Sequence, residues 1–149
     1  GIGFAWGRVF LQFGPYEPAQ RLVPSIILAL LNGEPALCSH GRQIRSFLHT
    51  RDLGAAFAAL LDSDVGSVVN MGAEERISIG DLAHRIGEAL GRPDLIRLGA
   101  RPAPANDPDF LVPDTARLRD EVGWHPRMTL AEGLAETIAW WRQASHQNS

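Results

Sequence analysis

Arg45 is the residue in this chain best equipped to hold a ligand. Its guanidinium is planar, permanently charged and able to contact two oxygens at once, which is the donor a diphosphate requires. Phe47 and His49 follow at alternate positions, so on a strand the three project from one face, opposite Ile44, Ser46 and Leu48. No carboxylate is set beside His49, and a core or hairpin histidine is the expectation there rather than an acid or base. Arg101 places a second guanidinium in a proline-rich stretch. Cys38 is the single cysteine, which excludes an internal disulfide and a cysteine-rich zinc site and reads as a small buried hydrophobe. Tyr16 is the single tyrosine, and Gln20, not a lysine, stands four residues on. With no phosphate loop, metal cluster or activated nucleophile, these residues amount to half of a site.

The elements that must carry them start with Phe4 to Phe13, where Val9, Phe10 and Leu11 run together as in a strand covered on both faces. Gly14-Pro15 ends that strand, and Pro24 suits the first turn of a helix from about Val23 to Leu31, stopped by Gly33 and Pro35. A strand delivered to a helix in this way is where ligands bind in open α/β sheets. Ala36 to Ser39 and Gln43 to His49 read as two strands of a hairpin through His40-Gly41-Arg42. Thr50 or Asp52 is expected to cap a helix reaching about Leu61, with Leu53, Ala56, Phe57, Leu60 and Leu61 as its apolar stripe. Ser67 to Met71 is a short central strand. Ser78 and Asp81 resemble a capping box for a helix over Ile79 to Leu90, ended by Gly91. Arg92 to Pro113 holds prolines at 93, 102, 104, 108 and 113, with one short strand from Leu95 to Leu98; long irregular loops of this kind are often functional. A short helix from about Asp114 to Val122 and a last helix capped by Thr129 and Glu132 complete the chain.

The 149 residues suffice for one domain, with 45% hydrophobic and 21% charged residues as in ordinary globular proteins, and a disordered tail is expected only over Ser145 to Ser149. A net charge of −3 with scattered arginines predicts no nucleic-acid partner. The apolar run from Leu22 to Leu31 is too short to span a membrane. The lone cysteine fits a reducing, cytoplasmic compartment. Gly1 lies within about three residues of the first strand, which suggests a fragment.

In order along the chain, Arg8-x-Phe10-x-x-Phe13-Gly14-Pro15, Leu22-Val23-Pro24, Gly41-x-x-x-Arg45-x-Phe47-x-His49-x-x-Asp52-Leu53, Val69-Asn70-Met71-Gly72 and Gly123-Trp124-x-Pro126 resemble the carboxyl-terminal half of extended short-chain dehydrogenase/reductases, the NAD-dependent epimerase/dehydratase family. The resemblance implies a mixed α/β fold of short strands and about five helices, the substrate-binding portion of an extended Rossmann-type protein, without the Gly-rich cofactor-binding part. The chain is then one substrate-binding domain over 1–149, in which 4–13 and 67–71 are strands of the full protein's Rossmann sheet. NAD or NADP belongs to that full protein and is not expected to bind this part alone. The Tyr-x-x-x-Lys pair of the family is absent, so no catalytic residue is assigned.

The resemblance also distributes roles. Arg45 stands where the family's Arg contacts substrate phosphates, with Ser46 replacing the usual Asp and loosening how the strand is fixed. Leu11 stands where many members carry a sugar-binding Asn; Gln12 is the substitute, although on a strand it points to the opposite face. Leu22, Val23 and Pro24 would cover the base or ribose, and Phe10 would lie near the nicotinamide. Arg101 matches the Arg of an Arg-Pro-Gly-Asp pattern whose Gly and Asp are missing, with Asn106 or Asp107 as stand-ins. The function implied is the substrate-binding half of a nucleotide-sugar epimerase, dehydratase or ketoreductase, inactive by itself. The alternative is a non-catalytic cofactor-sensing or scaffolding relative. Unpaired strands are expected to make the isolated chain self-associate.

Overall fold

Short strands that exchange partners, packed among five α-helices, make up the computed structural model, which describes residues 3–147. β1 (Ala5–Val9) lies parallel to β6 (Ser67–Met71) and forms with it a two-stranded ribbon. The chain then changes neighbour: the Phe10 N–H still donates to the Met71 carbonyl, but the Leu11 carbonyl accepts from Leu48. β2 (Gln12–Phe13) accordingly runs parallel to β5 (Leu48–His49). The single strand expected over 4–13 is therefore two strands in two sheets. It is not covered on both faces either, since Phe4, Trp6 and Val9 are exposed.

The expected hairpin at 40–42 does not form. β3 (Ala36–Leu37) runs parallel to β8 (Ile96–Arg97), whereas β4 (Ile44–Arg45) lies between β7 (Ile77–Ser78), antiparallel, and β9 (Phe110–Leu111), parallel. The cause is a backbone crossing. The Gly41 carbonyl accepts from the Gly80 N–H at 2.8 Å, and the Gln43 carbonyl accepts from Ile79. Gly41 has φ +74°, and a Cβ there would stand 2.9 Å from the Gly80 Cα. Only glycine meets both demands, and the crossing turns residues 41–45 toward 77–80 instead of back on 36–39.

α1 (Leu22–Leu31), α3 (Ile79–Leu90) and α5 (Leu130–Gln147) enclose the larger core, which includes Phe13, Ile27, Leu82, Ile86, Leu134 and Ile138. Each such side chain contributes on the order of 1.5–3 kcal/mol of burial. A second core, including Leu48, Ala56, Leu60, Val69, Met71, Leu118 and Trp124, lies where α2 (Thr50–Leu61), β6 and α4 (Ala116–Asp120) meet. The stripe expected along α2 is only half buried: Phe57 and Leu61 are exposed beside β1.

The caps follow local chemistry. Ser78 Oγ accepts from the Asp81 N–H, and Thr129 and Glu132 bond each other's backbone N–H groups, as expected. α2 differs. His49 caps it, its Nδ1 accepting from the Arg51 N–H, while Asp52 Oδ2 accepts from the N–H groups of Arg127 and Met128, both at 2.9 Å. α5 continues to Gln147, so residues 145–147 are helical rather than part of a loose tail; 148–149, like 1–2, lie outside the described residues.

Candidate functional site

A cleft of about 380 Å³ opens where β2, the start of α1, β4 and the proline-rich loop meet. Leu11 and Gln12 line it together, because the irregular backbone between β1 and β2 interrupts the alternation that would have separated them. α1 contributes Leu22 and Val23, and β4 brings Arg45. Pro24 is buried instead in the first turn of α1. Phe10 and Arg101 lie outside the cleft: Phe10 is half-buried at the end of the ribbon, and Arg101 is exposed, its N–H donating to the Cys38 carbonyl.

The cleft is polar at its base. Arg45 is 4% exposed; its Nη1 donates to the Ile44 carbonyl at 2.9 Å, and its Nη2 donates to Asp107 Oδ1 in a salt bridge. Gln43, 2% exposed, donates through Nε2 to the other oxygen of the same carboxylate at 3.0 Å and to Ser39 Oγ at 3.3 Å. Gln43 Oε1 is buried without a partner among the described residues. Glu17 also lines the cleft and faces Arg21 at 3.6 Å; its Oε2 is buried without a partner among the described residues, and burial pushes its carboxyl above the usual 4.5, against the opposing pull of the Gly14 backbone and of Arg21.

Sequence reasoning missed Gln43, Glu17 and Arg21 as cleft residues. Gln43 was within reach, because it stands two residues before Arg45 on the same strand face. Asp107, read with Asn106 as a stand-in in the incomplete Arg-Pro-Gly-Asp pattern, pairs with Arg45. Ser46 does not loosen its strand: its hydroxyl donates to the Ala73 carbonyl at 2.6 Å and ties the β4–β5 segment to the chain beyond β6.

Phe47 separates this cleft from a smaller cavity of about 180 Å³, lined in part by Phe13, His49 and Trp124. Arg45 and His49 thus lie on two sides of Phe47, with the Phe13 ring 5.3 Å from that of His49. Burial pulls the His49 pKa below 6.5, opposed by nearby Glu136, and its Nδ1 already serves the α2 cap. A neutral, cap-bound imidazole is a core histidine. Cys38 is buried as well, which pushes its thiol above the usual range, against the pull of Arg101. Among the described residues no cluster of His, Cys, Asp and Glu could hold a metal ion, and no helix is long and apolar enough to cross a membrane.

Residues 1–72, which carry β1, the start of α1 and Arg45, match the model of the NAD dependent epimerase/dehydratase family. The chain belongs to that family. Two relatives match nearly the whole chain. UDP-glucuronic acid decarboxylase 1 of Xenopus tropicalis is 32% identical over 99% of the chain, and dTDP-4-dehydro-6-deoxy-D-allose reductase of Streptomyces bikiniensis is 35% identical over 91%. The chain spans only 35% and 41% of their lengths. Among solved structures, a UDP-glucuronic acid 4-epimerase from Bacillus cereus, in complex with UDP-glucuronic acid and NAD, superposes with a TM-score of 0.86 at 22% identity, over 96% of this chain and 46% of that one. At that identity the likeness shows the fold: a mixed α/β portion of a Rossmann-type epimerase/dehydratase.

Proposed function

We propose that this chain is the substrate-binding part of a nucleotide-sugar epimerase, dehydratase or ketoreductase, with the hydride chemistry performed by residues outside it. The observation that carries the reading is the convergence of Leu11, Gln12, Leu22, Val23 and Arg45 on one cleft whose base is a buried guanidinium. These are five of the residues to which the family resemblance assigned substrate contact. Arg45 binds the diphosphate, Leu22 and Val23 cover the nucleoside, and Leu11 and Gln12 face the sugar end. Pro24 fixes the start of α1 beneath them. Arg101 reaches the ligand from the rim, and Phe10 stands toward the nicotinamide side.

NAD or NADP, when bound to the full protein, supplies the hydride acceptor. This chain has neither a Gly-rich phosphate turn nor a Tyr-x-x-x-Lys pair, so its residues position substrate and leave cofactor binding to the rest of the polypeptide. The ribbon of β1 and β6 continues the Rossmann sheet there, and the isolated chain is inactive and associates through that open edge. The single cysteine fits a small-molecule enzyme of the cytoplasm. A second reading, a non-catalytic relative, is favoured by Leu11, which lines the cleft without a hydrogen-bonding group.

The test is calorimetric titration of UDP into the full polypeptide that carries these residues. Arg45→Ala is expected to weaken binding about 10- to 100-fold, the equivalent of ~1.5–3 kcal/mol for hydrogen bonds to a charged group. Unchanged affinity would overturn the reading. Turnover of a UDP- or dTDP-sugar separates the enzyme from its non-catalytic alternative.

A further inference from the structure

One carboxylate bridges two side chains at the base of the cleft: Asp107 Oδ1 on Arg45 Nη2 and Oδ2 on Gln43 Nε2. The two donors are therefore already spaced to grip two oxygens of a single anionic group. Both are buried, whereas the Asp107 side chain keeps 26% of its surface in solvent. The two buried donors belong to β4 and its lead-in, and the half-buried carboxylate belongs to a loop.

That loop is pinned at its ends. Gly99 and Arg101 donate backbone N–H groups to the Ser39 and Cys38 carbonyls, and the Asp109 carbonyl accepts from Ile44. Between those anchors, the side-chain hydrogen bonds from the loop to the body found among the described residues are those of Asp107. Three prolines, at 102, 104 and 108, restrict how the segment folds.

We infer that Asp107 is a resident competitor for the anion site, and that Gln43 is a second ligand-binding donor beside Arg45, freed together with it when an incoming phosphate displaces the Asp107 carboxylate. This rests on the reading of Arg45 given above and adds to it a residue and a regulatory step. An anion must bind against the internal carboxylate, so apparent affinity is reduced by the fraction of molecules in which Asp107 holds the site. The exchange also discriminates: a neutral ligand offers nothing to replace the carboxylate on Arg45, and a phosphate does. Displacement releases the middle of the proline-rich loop from the body, so ligand occupancy and loop position are linked.

Titration of UDP and of inorganic pyrophosphate into the full polypeptide tests this. Asp107→Ala is expected to bind both about tenfold more tightly than the wild type, with the near-isosteric Asp107→Asn intermediate. Gln43→Leu is expected to bind both about tenfold more weakly, in the wild-type and the Asp107→Asn backgrounds alike. Amide exchange at Asn106 and Asp107 is expected to rise on adding UDP. Equal or weaker binding by Asp107→Asn, while Arg45→Ala still weakens it, overturns the inference and leaves the Arg45 reading standing. A response to Asp107 seen with UDP but not with pyrophosphate overturns it too, because the competition is then not for the anion. If Arg45→Ala changes nothing, the underlying reading is what fails.

Discussion

The cleft and the ribbon invert the ordinary partition of side chains in opposite ways. At the cleft the chain buries a guanidinium and an amide, Arg45 at 4% and Gln43 at 2% exposure; along the ribbon it leaves Phe4 and Trp6 exposed at 70% and 60%. Buried polar groups and exposed apolar patches are the informative exceptions in a folded chain. The cleft resolves its exception from within, because Asp107 supplies the missing charge. Among the described residues the ribbon has no such internal partner along β1. Ser67 donates to the Phe4 carbonyl and Phe10 to the Met71 carbonyl, so the even-numbered residues of β1 face β6, and the backbone groups of Ala5, Gly7 and Val9 point to the outer edge. A site awaiting a small anion can be neutralised by one side chain. A sheet edge can be completed only by more backbone.

Asp52 supplies the sharpest way to test whether buried charge in this chain means ligand or structure. It is 3% exposed, yet its Oδ2 is held by two main-chain N–H groups, of Arg127 and Met128, that cannot swing away. Asp52→Ala removes the charged acceptor of both N–H groups and is expected to cost about 3 kcal/mol in urea unfolding, at roughly 1.5–3 kcal/mol for a hydrogen bond to a charged group. UDP affinity should be unchanged in the folded variant. A stability loss below about 1 kcal/mol would place Asp52 with Asp107, as a replaceable counter-ion, and erase the distinction.

The same contrast marks what could be read from residues alone. The helix over Ile79 to Leu90 was legible to the residue, because Ser78, Asp81 and Gly91 are local signals and Leu82 and Ile86 repeat at helical spacing. The bounds of the strand Ser67 to Met71 were legible from its short apolar run, but not its place, which here is an edge of a two-stranded ribbon rather than the centre of a sheet. The hairpin at 40–42 was misread because the Gly41 backbone is claimed by Gly80, a partner 39 positions away that no local signal announces. β9 was missed outright: Phe110 and Leu111 are exposed and form a strand only by pairing with Ile44 and Arg45. At the site, Arg45, Leu22 and Val23 carry motif signals, whereas the role of Asp107 depends on a fold that brings it 62 residues back to Arg45.

The two edges of the ribbon differ as well. On the β6 side the Arg117 guanidinium donates to the Gly66 and Val68 carbonyls while Glu121 holds it bidentately, so that edge is already occupied. Arg117→Ala exposes those carbonyls and gives the ribbon a second open edge. In sedimentation velocity the isolated chain is then expected to pass from closed dimers to larger species, since two open edges propagate where one closes. Dimers that persist unchanged would show that Arg117 is not what blocks the β6 edge.

His49 gives a smaller, pH-dependent effect on the body between these regions. Burial holds its pKa below 6.5, so the unfolded chain takes up the proton first. The stability that depends on a neutral His49 is therefore full above about pH 6.5 and is lost as pH falls from there toward the folded-state pKa. His49→Gln is expected to flatten the dependence of unfolding free energy on pH in that window. An unchanged slope would mean that His49 is not the group responsible.

The least effect on stability is expected at an exposed aromatic of the ribbon. Trp6 is 60% exposed, and its burial pattern on β1 places it on the face away from Phe57 and Met71, which crowd Gly7. Removing a side chain that is mostly in water takes little from the folded chain, so Trp6→Ser should move the urea midpoint by no more than about 0.5 kcal/mol. Its effect lies in association: the isolated chain should dimerise more weakly, because the strand that docks on Ala5, Gly7 and Val9 brings a covering layer to the Trp6 face. In the full polypeptide the ranking should reverse. If β1 is an interior strand there, Trp6 becomes a core residue and the same substitution should cost about 3–5 kcal/mol, as large apolar truncations in cores do. A cost that stays within about 0.5 kcal/mol in both settings would mean that this face remains in solvent, and that the exposed tryptophan is a surface feature of the domain and not the seam of a larger sheet.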